Sequence, residues 1–201
     1  MNALIIGCGY VGRVVARRWR DAGLTVTGTT TTAAKVADLG RQVDRPLLLD
    51  ATDPIALAEA LVGQTTVLVA IGAKASNRYE ETYQRSAEAL AQVLPQRPEV
   101  RQVIYTGSYA VYGDRSGAWV TEADAPQPAN RNGEILVTTE NLLLATGTAD
   151  RAVCCFRLGG ICGPGREVHQ IFRRAAGTVR PGTGEDWSNW IHLDDIVGAI
   201  D

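Results

Sequence analysis

The sequence lacks the features of several protein classes. Its 201 residues contain no apolar run near the roughly 20 residues that cross a bilayer, and no block of basic residues. The net charge is -2, whereas surfaces that bind nucleic acid are strongly basic. We therefore expect neither a membrane nor a nucleic acid as a partner. With 45% hydrophobic residues, the chain can still build a sizeable core.

Metal-ligand patterns and targeting signals are also missing. The two histidines, His169 and His192, lie far apart, and the four cysteines form no C-x-x-C or Cys/His pattern. We predict no metal site, and reduced, mostly buried thiols of the kind found in cytosolic proteins. The N-terminus has no basic segment and no small-residue cleavage site. It is therefore not typical of a signal peptide, and we expect a cytoplasmic protein.

Strand-like apolar runs alternate with helical patterns along most of the chain. Strands are predicted at 3–6, 24–29, 46–49, 67–71, 103–106 and 152–158, and helices at 11–21, 55–61, 79–94, 135–145 and 193–201. This alternation predicts an α/β fold, a Rossmann-type doubly wound parallel sheet. We expect a dinucleotide-binding domain over 1–160, and a small C-terminal substrate lobe with the return segment over 161–201. The last helical pattern has no C-cap, so we expect that lobe to be incomplete.

The most informative motif is GCGYVG, residues 7–12, which follows a strand and opens a helix. Gly7 permits a tight turn, Gly9 lets the backbone approach a pyrophosphate, and Gly12 lets the helix pack close to the strand. The free N–H groups of the helix then face the phosphates. In this context the motif predicts a dinucleotide site. Its predicted contacts are Gly7, Cys8, Gly9, Tyr10, Val11, Gly12, Thr30, Thr31, Asp50, Ala70 and Ile71.

The residues after the second strand favour NADP over NAD. A carboxylate usually follows the motif by about 20 residues in NAD sites, but none occurs from Thr25 to Val36. That stretch offers threonine hydroxyls and Lys35 instead. Arg13 could assist a 2′-phosphate or could be a solvated helix residue, and Asp50 could meet the adenine or serve as a turn residue. We expect NADP as the preferred cofactor, with NAD as the alternative.

Four stretches together resemble the extended short-chain dehydrogenase/reductase family of NAD-dependent epimerases and dehydratases. They are GCGYVG, YTGSYAVYGD around Ser108, RLGGICGPG at 157–165 and WIHLDDIVGAI at 190–200. The resemblance is greatest to an atypical bacterial branch of that family. It implies a small-molecule substrate, and it implies that Ser108 hydrogen-bonds the substrate oxygen. It also implies that the H-x-D-D stretch at 192–195 is a structural return to the cofactor domain.

The same resemblance draws attention to a missing pair. The family moves a proton with a tyrosine and a lysine four residues later, and these would fall on Asn132 and Leu136. No Y-x-x-x-K occurs anywhere, because the last tyrosine is Tyr112 and the two lysines are Lys35 and Lys74. We consider Tyr109 as a replacement acid.

Two functions therefore stay open. The first is an oxidoreductase or epimerase-like enzyme acting on a sugar-like or other hydroxy/keto metabolite. The second is a catalytically inactive dinucleotide sensor or regulatory module. Arg157 could contact the substrate or form a buried ion pair. The helices at 79–94 and 135–145 would allow a homodimer.

Overall fold

A six-stranded parallel sheet organises the protein. The computed structural model describes residues 1–173, 176–179, 182, 184–185 and 187–201. The strands are β1 (Asn2–Ile6), β2 (Thr25–Thr30), β3 (Arg45–Leu48), β4 (Thr66–Val69), β5 (Gln102–Ser108) and β6 (Ala152–Leu158). Their spatial order, β3-β2-β1-β4-β5-β6, is that of the Rossmann fold, in which the strand order reverses between β1 and β4. The predicted Rossmann-type fold is confirmed.

Helices cover both faces of this sheet. The helices that cover it are α1 (Tyr10–Asp21), α2 (Val36–Leu39), α3 (Pro54–Ala60), α4 (Arg85–Val93), α5 (Arg131–Leu144) and α7 (Leu193–Ile200), and the short, exposed helix α6 (Val168–Phe172) lies in the C-terminal segment. Short 3-10 turns lie at Ala33–Lys35, Ser76–Arg78, Leu94–Gln96 and Tyr109–Tyr112, and a π-helix spans Glu80–Gln84. A second sheet pairs β7 (Gly160–Cys162) with β8 (Trp190–His192) in parallel.

Alternating strand residues bury two separate cores. On one face, Leu4 and Ile6 of β1 pack in a cluster that includes residues of α3, α4 and α5. On the other face, Ala3 and Ile5 pack in a cluster with α1 and α7. Because both faces are covered, the central strands β1 and β4 are apolar at nearly every position, as buried parallel strands usually are.

Two predicted elements differ from the structure in ways that shape the site. The predicted helix at 79–94 is divided into the π-helix at 80–84 and α4. The extra residue of a π turn changes which side chains face inward, and hydrophobic spacing does not predict it. The predicted strand at 67–71 ends at Val69. Ala70 and Ile71 therefore lie outside the strand, where they line a cleft.

The C-terminal segment returns to the face of the sheet that α1 covers. Ile196 and Ile200 of α7 are buried in the cluster that holds Val15 and Trp19 of α1. His192 caps α7, with its Nδ1 accepting a hydrogen bond from the Asp194 amide at 3.2 Å. The return to the α1 side that the H-x-D-D stretch implied is thus seen in this packing. The division at residue 160 stays a prediction.

The cysteines are less buried than the sequence predicts. All four cysteines are free, but only Cys8 is buried and Cys154 is exposed, so the expectation of mostly buried thiols was wrong. The alternation of β6 turns Cys154 outward. Within the described residues, no helix combines the length and apolar character needed to cross a membrane.

Candidate active site

A cleft of about 850 Å³ opens beyond the carboxyl ends of the parallel strands. This is where open α/β sheets bind ligands, and the volume lies within the usual range for small-molecule sites. Ten of the eleven predicted cofactor residues line the cleft: Gly7, Cys8, Gly9, Tyr10, Val11, Thr30, Thr31, Asp50, Ala70 and Ile71. Gly12, the eleventh, lies behind this surface.

The turn after β1 is fixed by backbone contacts. Gly7 has a φ of 82°, in the left-handed region that favours glycine, and a Cβ there would lie 2.9 Å from Ala70 O. The Gly7 amide donates to Thr29 Oγ1 at 3.0 Å, and the Cys8 amide donates to Thr29 O at 2.9 Å. Thr29 is buried. The second strand therefore holds the glycine turn in place.

The other two glycines have different roles. A Cβ on Gly12 would lie 3.0 Å from Ile5 Cγ2 and 3.1 Å from Gly7 O, so glycine lets α1 pack against β1. Among the residues that the structure describes, and leaving out its chain neighbours, a Cβ on Gly9 would have one heavy atom within 4 Å, Gly7 O at 3.9 Å. The space above Gly9 is therefore open for a ligand that approaches the backbone.

The start of α1 carries no charge that would repel an anion. Its first turn contains no acidic residue. Burial raises the pKa of the Cys8 thiol to about 11, despite the opposing effect of Arg13, so the thiol is neutral at physiological pH. The helix N-terminus itself has a partial positive charge. These residues fit the pyrophosphate of a dinucleotide.

A polar corner of the cleft follows β2 and β3. Thr30, Thr31, Thr32 and Lys35 line it. Arg13 also lines the cleft, and it forms an ion pair with Asp38 at 2.7 Å. From the sequence, Arg13 was either a phosphate contact or a solvated helix residue. It faces the cleft, but its guanidinium group already pairs with the Asp38 carboxylate.

Asp50 serves as a turn residue, and its contact with the adenine stays a prediction. It lines the cleft, and its Oδ1 accepts hydrogen bonds from the amide and the hydroxyl of Thr52 at 2.9 and 2.8 Å. The side chain is thus fixed by the turn that follows β3.

Ser108 lies at the opposite end of the cleft, at the last residue of β5. Its Oγ accepts a hydrogen bond from the Ala110 amide at 3.2 Å, which leaves the hydroxyl proton free to face a ligand. Leu136 of α5, where the family lysine would fall, also lines the cleft. Asn132 and Tyr109 do not, and Tyr109 is 42% exposed.

Pattern reasoning did not assign the cleft residues of the segment from 74 to 86, which are Lys74, Arg78, Tyr79, Glu81, Thr82, Tyr83 and Ser86. The Tyr83 Oη accepts a hydrogen bond from the Ala73 amide at 3.2 Å. Burial raises the pKa of the Tyr83 phenol, partly offset by that hydrogen bond, while nearby Tyr79 raises it further. The hydroxyl is therefore protonated at neutral pH. Apolar spacing marked this segment only as a helix, and gave no signal that Tyr83 faces a ligand site.

Arg157 does not reach the cleft. Its guanidinium forms three hydrogen bonds with the carboxylate of Glu140, at 2.9 to 3.2 Å, and one with Tyr112 Oη at 2.7 Å. Glu140 is 2% exposed. Of the two alternatives, Arg157 forms the buried ion pair. The hydrogen bonds with Glu140, and then the one with Tyr112, raise the Arg157 pKa, so that the group stays charged.

This network supports the segment that follows Ser108. The Tyr112 hydroxyl donates to Thr121 O at 2.8 Å, and the Tyr112 ring lies 4.7 Å from the Arg157 guanidinium carbon. The network of Arg157, Glu140 and Tyr112 therefore joins β6, α5 and the 3-10 turn after β5.

Comparisons with known proteins agree with this architecture. The NAD dependent epimerase/dehydratase family model matches residues 3–201. Protein YeeZ of Escherichia coli K12 is 30% identical over 205 residues, which cover 98% of this chain and 70% of YeeZ.

Two solved structures have a closely similar fold. One is a functionally unknown conserved protein from Silicibacter pomeroyi, with a TM-score of 0.79 and 28% identity over 99% of this chain and 66% of that one. The other is MoeE5 in complex with UDP-glucose and NAD, with a TM-score of 0.77 and 22% identity over 100% of this chain and 70% of that one. The chain thus spans about two thirds of the length of these structures. By its family match, its relatives and its sheet, this chain belongs to the NAD-dependent epimerase/dehydratase family.

Proposed function

We propose that the protein binds NADP in preference to NAD, and catalyses an oxidoreductase or epimerase-like reaction on a sugar-like or other hydroxy/keto metabolite without a Tyr-x-x-x-Lys pair. The observation that carries the proposal is one continuous cleft, which joins the glycine turn at Gly9 to Ser108. A dinucleotide bound along this cleft would have its phosphates at the glycine turn. MoeE5, which has a similar fold, holds UDP-glucose and NAD, and this supports a dinucleotide and a sugar-like substrate while leaving the choice of NADP to the residues after β2.

The preference for NADP rests on the corner after β2. A 2′-phosphate there would meet the hydroxyls of Thr30 and Thr31 and the ammonium group of Lys35. No carboxylate occurs between Thr25 and Val36 to repel it. Asp38 lies beyond this stretch, and Arg13 neutralises its charge.

Replacing Lys35 with glutamine tests this preference. Loss of a charged hydrogen bond to the 2′-phosphate is expected to weaken NADP⁺ binding about tenfold, and to leave NAD⁺ binding within about twofold. Calorimetric dissociation constants provide the measurement. Lys74→Gln is the matched control, because Lys74 also lines the cleft but follows β4. An equal loss of NAD⁺ affinity would show that Lys35 does not select the 2′-phosphate.

The chain's own groups can orient and protonate a carbonyl oxygen. Bound nicotinamide would supply or accept a hydride. In the reductive direction the Ser108 hydroxyl donates a hydrogen bond to the carbonyl oxygen. As negative charge develops on that oxygen, the Tyr83 phenol gives it a proton, and the phenolate then recovers a proton from water. Tyr109, the donor considered from the sequence, is the alternative to Tyr83.

The inactive module is kept as a second function because of the side chains at the family's acid–base positions. Asn132 does not titrate, and Leu136 presents an apolar side chain to the cleft. A module of this kind would bind the dinucleotide without turning over a substrate.

A titration followed by a substrate screen separates the functions. Purified protein is titrated with NADPH and NADH. NADPH consumption is then followed against a panel of keto sugars and other carbonyl compounds, and epimer interconversion against a panel of sugars, because an epimerase returns its hydride and consumes no NADPH. Turnover of any panel member supports the enzyme. Binding without turnover across the panel favours the module, and binding of neither dinucleotide contradicts both. Sedimentation of the same sample would check the predicted homodimer, and the predicted cytoplasmic location needs a separate test in cells.

A further inference from the structure

We propose that Arg166 binds the pyrophosphate of the dinucleotide, and that Tyr10 of the glycine motif holds it in place. The inference rests on the proposed function. It assigns a cofactor contact to the loop after β7, which lies more than 150 residues from the glycine turn in sequence.

A tight turn presents Arg166 to the cleft. The Arg166 amide donates to Gly163 O at 2.8 Å, and the Gly163 amide donates back to Arg166 O at 3.3 Å. Gly163 and Gly165 have φ values of 146° and 75°, which favour glycine. The two hydrogen bonds and the two glycines fix the direction in which Arg166 leaves the turn.

Tyr10 joins this turn to the glycine motif. Its hydroxyl donates to Pro164 O at 3.1 Å, and its ring centroid lies 4.2 Å from the Arg166 guanidinium carbon. That distance is well within the range of cation–π contacts. A Cβ on Gly163 would lie 2.9 Å from the Tyr10 hydroxyl, so glycine at this position permits the approach.

The charge of Arg166 is available to an anion. It lines the cleft, and within the described part of the chain no carboxylate forms an ion pair with it. Arg13, the other arginine near the motif, is paired with Asp38. A planar guanidinium over the Tyr10 ring, in the cleft that Gly9 also lines, is well suited to phosphate oxygens, since arginine binds such groups through two parallel hydrogen bonds.

Phosphates could also arrive on a nucleotide-linked substrate. Tyr10 favours the dinucleotide, because it is part of the glycine turn and fixes Arg166 beside the start of α1. A substrate phosphate held there would compete with the cofactor. The two sources predict different results for the same variant.

The test compares dissociation constants of NADP⁺, NAD⁺ and uridine diphosphate for the wild type and Arg166→Gln. The proposal expects NADP⁺ and NAD⁺ to weaken by the same factor, about tenfold or more, because both have the pyrophosphate and lose one charged contact. The ratio of the NADP⁺ and NAD⁺ affinities should therefore stay unchanged in Arg166→Gln, whereas Lys35→Gln is expected to change that ratio. Uridine diphosphate binding, measured with NADP⁺ at saturation, should be unaffected.

Three further variants sharpen the comparison. Arg85→Gln removes an arginine from α4 outside the cleft and should change none of the three constants. Tyr10→Phe keeps the ring and loses the bond to Pro164 O, so it should weaken both dinucleotides by less than Arg166→Gln. Arg166→Lys keeps the charge and loses the planar group, and we expect an intermediate loss. Thermal melts without ligand check that each variant is folded.

Several outcomes would overturn the proposal. Unchanged dinucleotide affinity in Arg166→Gln would show that the pyrophosphate does not contact this residue. If Arg166→Gln loses affinity for uridine diphosphate and keeps its affinity for both dinucleotides, Arg166 binds a nucleotide-linked substrate instead. If the wild type binds neither dinucleotide, both the proposed function and this inference are wrong. If the wild type binds them and Arg166→Gln binds them equally well, only the inference is wrong.

Discussion

Replacing Tyr83 with phenylalanine is expected to lower the rate of carbonyl reduction by about 100-fold or more, because general acid catalysis typically contributes that much. The Tyr83 oxygen accepts a hydrogen bond from the Ala73 amide at 3.2 Å, so the hydroxyl proton of Tyr83 points in another direction. The phenol lines the same cleft as Ser108. Phenylalanine keeps the ring and removes only the hydroxyl. The dissociation constant of NADPH should therefore stay within about twofold, since the dinucleotide contacts are unaffected.

Tyr109→Phe is the matched control. Tyr109 lies one residue from Ser108 but does not line the cleft, and it is 42% exposed. We expect its turnover to equal that of the wild type. If Tyr109→Phe loses activity and Tyr83→Phe does not, Tyr109 is the proton donor, as the sequence suggested.

The pH profile gives an independent check of Tyr83. Burial raises the pKa of this phenol above its usual value of 10, so the acid form persists through neutral pH. Reduction at saturating NADPH should be independent of pH from about 7 to 9, and should fall at more alkaline pH as the phenol loses its proton. A rate limited by an acid with a pKa near 7 would contradict this assignment.

Replacing Arg157 with leucine should produce the largest loss of stability, about 3–5 kcal/mol, because it leaves a buried carboxylate without its partner. Glu140 is 2% exposed and receives three hydrogen bonds from the Arg157 guanidinium. Few other groups can solvate it. Urea unfolding with a common m-value would measure the loss.

A double variant separates the cost of an unpaired charge from the value of the pair. Replacing both Glu140 and Arg157 with leucine should recover most of the lost stability, since an apolar pair of similar volume often replaces a buried ion pair at little cost. Arg20→Leu is the surface control. Its partner Asp44 is 3.1 Å away, both side chains are more than a third exposed, and we expect a change of at most about 1 kcal/mol. A double variant as unstable as Arg157→Leu would show that the network also contributes through its geometry.

The sequence by itself determined the fold and the end of the cleft that the glycine turn lines. Buried strands such as 3–6 are apolar on both faces, and a continuous apolar run of this kind can be recognised from the sequence. The GCGYVG motif predicts a local backbone turn, and this turn needs only the strand before it and the helix after it. Because the carboxyl ends of parallel strands meet at one edge, the positions of Thr30 and Asp50 followed from the strand boundaries.

Only the tertiary structure decided which side chains share the other end of the cleft. Tyr83 faces Ser108's end because a π turn changes the phase of its helix, and residue spacing contains no signal for that turn. Arg157 turned to Glu140, 17 residues away, and Arg166 reached Tyr10 across the whole fold. Contacts of this kind depend on how separate elements pack, and packing joins residues whose separation in sequence carries no information about their distance in space.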